Sequence, residues 1–195
     1  MTEFEHNNIE IFLDVMKFED GTLEVNTPIV SAENLDWLIK NKFFIKPAAI
    51  KYHGNYSGGL FEHSLAVTNC LLNMTKNLSL EWQLPRSPYI VGMFHDLCKT
   101  DDYKEDDTAE ANTKDPLEKT WVYNKDKILS GHGVKSVMLL SQFYNLTEEE
   151  LMCIRFHMGA YETDDWDAYD KAIRKYPNVL WTHTADMQAA KILNI

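Results

Sequence analysis

Apolar residues along this chain recur mostly at helical spacing. Ile9, Phe12, Leu13 and Met16 fall on one face of a first helix, and Glu19-Asp20-Gly21 reads as the turn that ends it. Ser31-Ala32-Glu33-Asn34 reads as a helix start with a serine cap, and Leu35, Leu38 and Ile39 form the apolar face that follows. Residues 47–59, with Pro47, Gly54, Gly58 and Gly59, read as a loop. From residue 60 to about 74 the apolar positions cover more than one face: Phe61, Leu65, Ala66, Val67, Cys70, Leu71 and Leu72. A helix that is apolar on several faces is a buried one, so this segment is predicted at the centre of the fold. Pro85 and Pro88 open a second buried helix through Ile90, Val91, Met93, Phe94 and Leu97.

Residues 100–129 break the pattern, being polar, acidic and without helical period. Residues 120–123 suit a short strand, paired with 108–112 across a turn at Lys114-Asp115-Pro116. Helical spacing returns over 132–143, and again from Thr147, a capping-box-like start, through His157. Two further helices are predicted over 165–175 and 178–193. The expected fold class is all-α, with room for a small β-hairpin insertion around residues 108–123. Residues 1–44 are expected as an N-terminal helical appendage packed on the core, and 45–195 as the main helical domain.

Charge narrows the function. The chain has 19 basic and 30 acidic residues, a net charge of −11. Long nucleic acid is disfavoured as a partner, since it requires a basic footprint. A small anionic substrate remains compatible if a metal supplies local positive charge. Cys70, Cys98 and Cys153 form no CxxC pair, which fits a reducing compartment. No leader-like segment and no membrane-length apolar run is legible, so a cytoplasmic protein without membrane contact is expected.

The histidines carry the candidate chemistry. Five of the seven, His63, His95, His132, His157 and His183, sit on or at the start of apolar helical segments. Buried imidazoles are costly without partners, and a shared divalent metal is a common one. His95-Asp96 is the focal pair, with Lys99 on the same helical face as both, at i+4 and i+3. His183 and Asp186 share a face three residues apart, which makes His183 a supporting or structural group beside Asp186. His6 is expected to be exposed and without a role.

Five segments together resemble the successive motifs of the HD superfamily of metal-dependent phosphohydrolases. They are Gly58-Gly59-Leu60-Phe61-Glu62-His63-Ser64-Leu65, Phe94-His95-Asp96-Leu97-Cys98-Lys99, Gly131-His132-Gly133, Arg155-Phe156-His157 and the His183–Asp186 run. The lead-in from Pro47 through Lys51 and His53 is similar to the HD domain of bacterial 3′-to-5′ exoribonucleases. The resemblance covers about residues 45–190. It implies an HD-type helical bundle in which His63, His95, Asp96 and Asp186 hold one metal. It further implies that His132 and His157 hold a second, with Asp96 bridging. The strong acidity departs from the exoribonucleases, and no Gly-Tyr-Pro motif of the cyclic-dinucleotide enzymes is present.

The expected activity is therefore hydrolysis of a small nucleotide or related phosphate ester. One or two divalent ions, of Mn, Fe, Mg, Ni, Co or Zn, would serve it. Asp96 is expected at the catalytic centre, and Lys99 is expected to neutralise developing charge. Lys51, His53, Lys135 and Arg155 are candidates to contact substrate phosphate. Two other functions share the same ligand order, a di-iron oxygenase and a regulatory metal-binding module. The acidic run Asp101, Asp102, Glu105, Asp106 and Asp107 would repel long polyanions if it overhung the site.

Overall fold

The computed structural model describes residues 1–17, 29–51, 54–106, 120–161 and 165–195. Within them the fold is mostly helical, with one small antiparallel hairpin. The chain forms α1 (Glu3–Val15), α2 (Ala32–Lys40), α3 (Gly59–Leu78), α4 (Ser87–Phe94) and α5 (Lys99–Asp102). Strands β1 (Tyr103–Glu105) and β2 (Trp121–Tyr123) come next. They are followed by α6 (His132–Leu140), α7 (Glu148–Arg155), a 3-10 turn (Gly159–Tyr161), α8 (Trp166–Lys175) and α9 (Asn178–Met187). Directly after α9 the chain winds into a π-helical turn (Gln188–Leu193). No helix among the described residues is long and apolar enough to cross a membrane.

The starts of these helices follow from local chemistry. Ser31 Oγ accepts from the Asn34 N–H at 3.1 Å, so the serine cap predicted for α2 is in place. At α7 Thr147 Oγ1 accepts from the Glu150 N–H at 3.1 Å, and Glu150 accepts in return from the Thr147 N–H at 2.8 Å. Two of the helix's orphan donors are thereby satisfied reciprocally.

The core is built on α3 against α4, both buried over much of their length. Their close approach depends on Gly92, where an added Cβ would lie only 2.6 Å from Thr68 Cα. The N-terminal helix shares this core: fully buried Phe12 packs against Phe43, Phe44, Phe61 and Phe94, with ring centroids 5.3–6.4 Å apart.

Two elements differ from expectation. The second buried helix stops at Phe94 rather than running through Leu97. Residues 95–98 form a tight turn whose amides bond three residues back, as in Leu97 N–H to Phe94 O at 3.2 Å and Lys99 N–H to Asp96 O at 3.0 Å. The strand at 121–123 pairs with 103–105, Tyr103 opposite Tyr123, so the hairpin begins directly after α5. The partner predicted at 108–112, its turn at 114–116 and the predicted turn at 19–21 lie outside the described residues.

Candidate metal centre

Four histidines and two aspartates from five parts of the chain meet in one buried cluster. His63 lies in the second turn of α3, and His95 and Asp96 lie in the tight turn after α4. His132 opens α6, His157 lies just past the end of α7, and Asp186 lies near the end of α9. His63, His95 and His157 are fully buried, and Asp96 and Asp186 nearly so.

The Asp96 carboxylate divides the cluster. Its Oδ2 faces His63 Nε2 and His95 Nε2, each at 3.6 Å, and receives the Lys99 ammonium at 2.5 Å. Its Oδ1 accepts from His132 Nε2 at 2.5 Å and lies 3.4 Å from His157 Nε2. Asp186 Oδ1 stands 3.2 Å from His63 Nε2 and 4.0 Å from His95 Nε2. The tight turn explains the Lys99 contact, because i,i+3 side chains eclipse in 3-10 geometry and Lys99 is set directly over Asp96.

Main-chain oxygens fix the imidazole orientations. His95 Nδ1 donates to Gly92 O at 2.7 Å, His157 Nδ1 to Ile154 O at 2.7 Å, and His63 Nδ1 to Ile195 O at 2.9 Å. A carbonyl can only accept, so each of these rings carries a proton on Nδ1, and its Nε2 is the nitrogen aimed inward. The Nε2 atoms of His63 and His95 thus face each other at 3.3 Å. His157 Nε2 is buried without an acceptably oriented hydrogen-bond partner.

Charge in the cluster follows from burial and neighbours. Burial pushes His95 down to about 3, against the raising pull of Asp96. Asp96 is held well below the usual carboxylate range. Its burial acts upward but is outweighed by Lys99, His132 and His95. Asp186 is lowered too: burial again acts upward, and the His63 hydrogen bond with the nearby imidazoles outweighs it. Lys99 is raised, its burial overcome by Asp96. For His157, burial acts downward, and the Asp96 and Asp186 carboxylates carry it upward. The cluster therefore offers ionised carboxylates and a neutral His95, the protonation states that ligate metals.

The residues fit a divalent ion. Ligand atoms at 2.0–2.2 Å from one ion lie roughly 3–4.4 Å apart, and the contacts among His63, His95, Asp96 Oδ2 and Asp186 are 3.2–4.0 Å. Ligand atoms of His63, His95 and Asp96, and of His95, His157 and Asp186, lie within 4.8 Å of one another. Buried His and Asp groups of this chain can hold a metal ion.

The other candidates are placed differently. His183 Nδ1 donates to His157 O at 2.7 Å, so it braces the His157 main chain. Lys135 is buried, and its ammonium is taken by Asp101 at 2.6 Å and Asp102 at 2.9 Å, which ties α6 to α5 instead of reaching the cluster. Arg155 is exposed and stacks on the Phe156 ring, 4.6 Å from its centroid. Lys51 is exposed, and His53 lies outside the described residues. His6 is exposed and lies 3.3 Å from Glu10. The acidic run is partly neutralised, Asp102 also by Lys127 at 2.7 Å and Glu105 by Lys42. Asp107 lies outside the described residues.

Two neighbours were missed in the sequence reading. Ser136 Oγ accepts from the Cys98 N–H at 3.0 Å and so pins the ligand-bearing turn to α6. Its signal was its position, one helical turn after His132 on the same face. Cys98 Sγ lies with Asp96 and His132 ligand atoms, but burial and the Asp96 charge raise its thiol well above the ordinary range. No family model matches the chain, and no curated protein or solved structure matches it.

Proposed function

We propose that the chain is a metal-dependent hydrolase of small phosphate esters. One or two divalent ions would be held by His63, His95, Asp96, His132, His157 and Asp186, as the HD-type resemblance implies. The observation that carries this reading is the convergence of His63 Nε2, His95 Nε2, Asp96 Oδ2 and Asp186 Oδ1 in a buried site, with contacts of 3.2–4.0 Å among them. Imidazole nitrogens and carboxylate oxygens at that spacing match the shell of one shared cation. The imidazole and carboxylate donors suit Mn, Fe, Co, Ni or Zn, and Mg when water completes the shell. When bound, such an ion supplies a Lewis acid and water activation at neutral pH.

The chain's own groups supply the rest. Asp96, with one oxygen toward each half of the cluster, fixes the two halves relative to each other. Lys99 holds that carboxylate in place and sets a permanent positive charge beside it, suited to a phosphoryl oxygen. The net charge of −11 favours a small substrate over a long polyanion, and Lys51 and Arg155 are the exposed cations near motif residues in sequence. A cytoplasmic location belongs to the same reading.

The test is elemental analysis of the purified protein, then phosphate release after reconstitution with each ion. The substrates are nucleoside mono-, di- and triphosphates, cyclic nucleotides and short oligonucleotides. One to two equivalents of metal and chelator-sensitive release are expected. Oxygen uptake at a di-iron centre without ester cleavage would move the function to the oxygenase class. Metal without either activity would leave a regulatory module, and failure to take up any metal would overturn the reading.

A further inference from the structure

Away from the histidine cluster, this acidic protein gathers positive charge in one place. A pocket of about 290 Å³ beside the Glu105–Trp121 pair of the hairpin is lined by residues that include Lys40, Lys42, Lys46 and Lys104. The four lysines come from a chain with 19 basic residues against 30 acidic ones, so the local sign is the reverse of the global one. Glu105 pairs with Lys42 and Asp126 with Lys104, while Asp101 and Asp102, which also act on Lys46, are engaged by Lys135 and Lys127. We propose that this pocket binds a phosphate or pyrophosphate group, carried free or at the end of a nucleotide.

Three further observations point the same way. Lys42 has φ +63°, in the left-handed region, and closes α2 as the residue after its C-cap. The Phe43 N–H bonds to Leu38 O and the Lys42 N–H to Ile39 O, both at 3.0 Å, an arrangement in which glycine is usual at this position. A lysine therefore occupies a strained position that glycine fills without penalty, and its ammonium lies in the pocket wall, paired with Glu105. Lys46 is buried, donates to Thr100 O and stands 5.8 Å over the Trp121 ring. Its ammonium is pushed down to about 8, first by burial and then by Lys42, which together outweigh the raising pull of Asp101, Glu105 and Asp102, so a bound anion would stabilise its charged form. Finally, the Trp121 indole N–H is buried without an acceptor, an unused donor beside the lysines.

At about 290 Å³ the pocket lies at the small end of the roughly 300–1,000 Å³ range of ligand sites, with room for pyrophosphate. Trp121 is too buried to stack on a base, so recognition falls on the anion. Lys46 binds the carbonyl of the residue that follows Lys99, so the pocket adjoins the short helix that begins with Lys99.

The test is calorimetric titration of the full chain in excess chelator, which removes metal-bound phosphate as a source of signal. Pyrophosphate, inorganic phosphate and adenosine diphosphate are the probes. Saturable one-to-one binding of pyrophosphate is expected, at least tenfold weaker in Lys42→Gly and in Lys46→Gln. Lys42→Gly removes the ammonium while relieving the backbone, so its melting temperature should equal or exceed the parent's. Adenosine diphosphate binding with the same Lys42 dependence would support a nucleotide as the source, and pyrophosphate binding alone a free anion. Absence of saturable pyrophosphate binding, or equal affinity in Lys42→Gly, would overturn the proposal.

Discussion

Gly133→Ala separates the two halves of the histidine cluster without touching a ligand. Gly133 follows His132 on α6 and lies against the end of α7. An added Cβ would meet Arg155 O at 2.1 Å and Ile154 O at 2.7 Å. Ordinary carbon contacts begin near 3.5 Å, so α6 and the end of α7 must part by roughly 1 Å. Both obstructing atoms are backbone, so no side chain can swing aside. The cost belongs at the upper end of overpacking, about 3 kcal/mol. For a chain of this length that lowers the melting temperature by about 6–12 °C. The same displacement reaches the site twice: His132 moves with α6, and Ile154 O is the acceptor that orients His157. Metal–ligand distances tolerate only about 0.2 Å. Loss of metal is therefore expected on the His132 and His157 side, with retention where His63, His95 and Asp186 converge. Thermal melts in chelator and metal stoichiometry after dialysis read the two effects separately. Val134→Ala, at an exposed neighbouring position, is the control and should stay within about 0.5 kcal/mol of the parent. A Gly133→Ala protein with the parent's melting temperature and metal content would refute the packing argument and the division of the site together.

Adding a divalent ion at a hundredfold excess over its dissociation constant should stabilise the protein by about 2.7 kcal/mol, an increase of about 5–11 °C in melting temperature. Indifference of the melt to every ion and to chelator would contradict the metal centre. Asp96→Ala leaves the buried Lys99 ammonium without its carboxylate and should cost about 3–5 kcal/mol. Adding Lys99→Met should recover much of that in a denaturant titration, and a double variant no more stable than the single one would refute the pairing. Lys46 is lowered in the fold to about 8 from 10.5, so the unfolded chain binds more protons between those values and the contribution of Lys46 to stability rises with pH. The stability of the parent relative to Lys46→Met should increase from pH 8 to 10.5, and a flat difference would show that Lys46 titrates normally.

What the sequence made legible was what depends on local pattern. The buried character of α3 and α4 follows from their apolar faces, and the caps at Ser31 and Thr147 from residue type alone. What it hid depends on partners distant in the chain. The end of α4 at Phe94 has no local breaker, since none of His95, Asp96 and Leu97 is a glycine or a proline. The turn is held from outside, by Ser136 on α6 accepting from Cys98. Lys135 looked available beside His132 because its spacing puts it on one face, yet Asp101 and Asp102 arrive from α5 to claim it. The pocket lysines at 40, 42 and 46 escaped notice for a similar reason: only the hairpin, with Lys104 and Trp121, gathers them into a site.

The ordinary alternative for the histidine cluster is a set of core imidazoles satisfied by hydrogen bonds, and its requirements can be checked atom by atom. A satisfied core histidine uses one ring nitrogen to donate and the other to accept. The first half is met for His63, His95 and His157, whose Nδ1 atoms all donate to main-chain oxygens. The second half fails at His157. Its Nε2 has Asp96 Oδ1 at 3.4 Å and ligand atoms of His95 and Asp186 within 4.8 Å, yet it is buried with no hydrogen-bond partner. Lys99 and His132 both reach the Asp96 carboxylate. His157 Nε2 is left unmatched, in a place where such a group costs about 1–3 kcal/mol. A shared cation would take up that atom together with the histidines and carboxylates around it. Under the ordinary alternative, replacing His63 by Phe strips partners from Ile195 O and Asp186 and should cost about 1–3 kcal/mol with metal content unchanged, whereas at a metal centre it should also remove the ion bound between His63, His95 and Asp186.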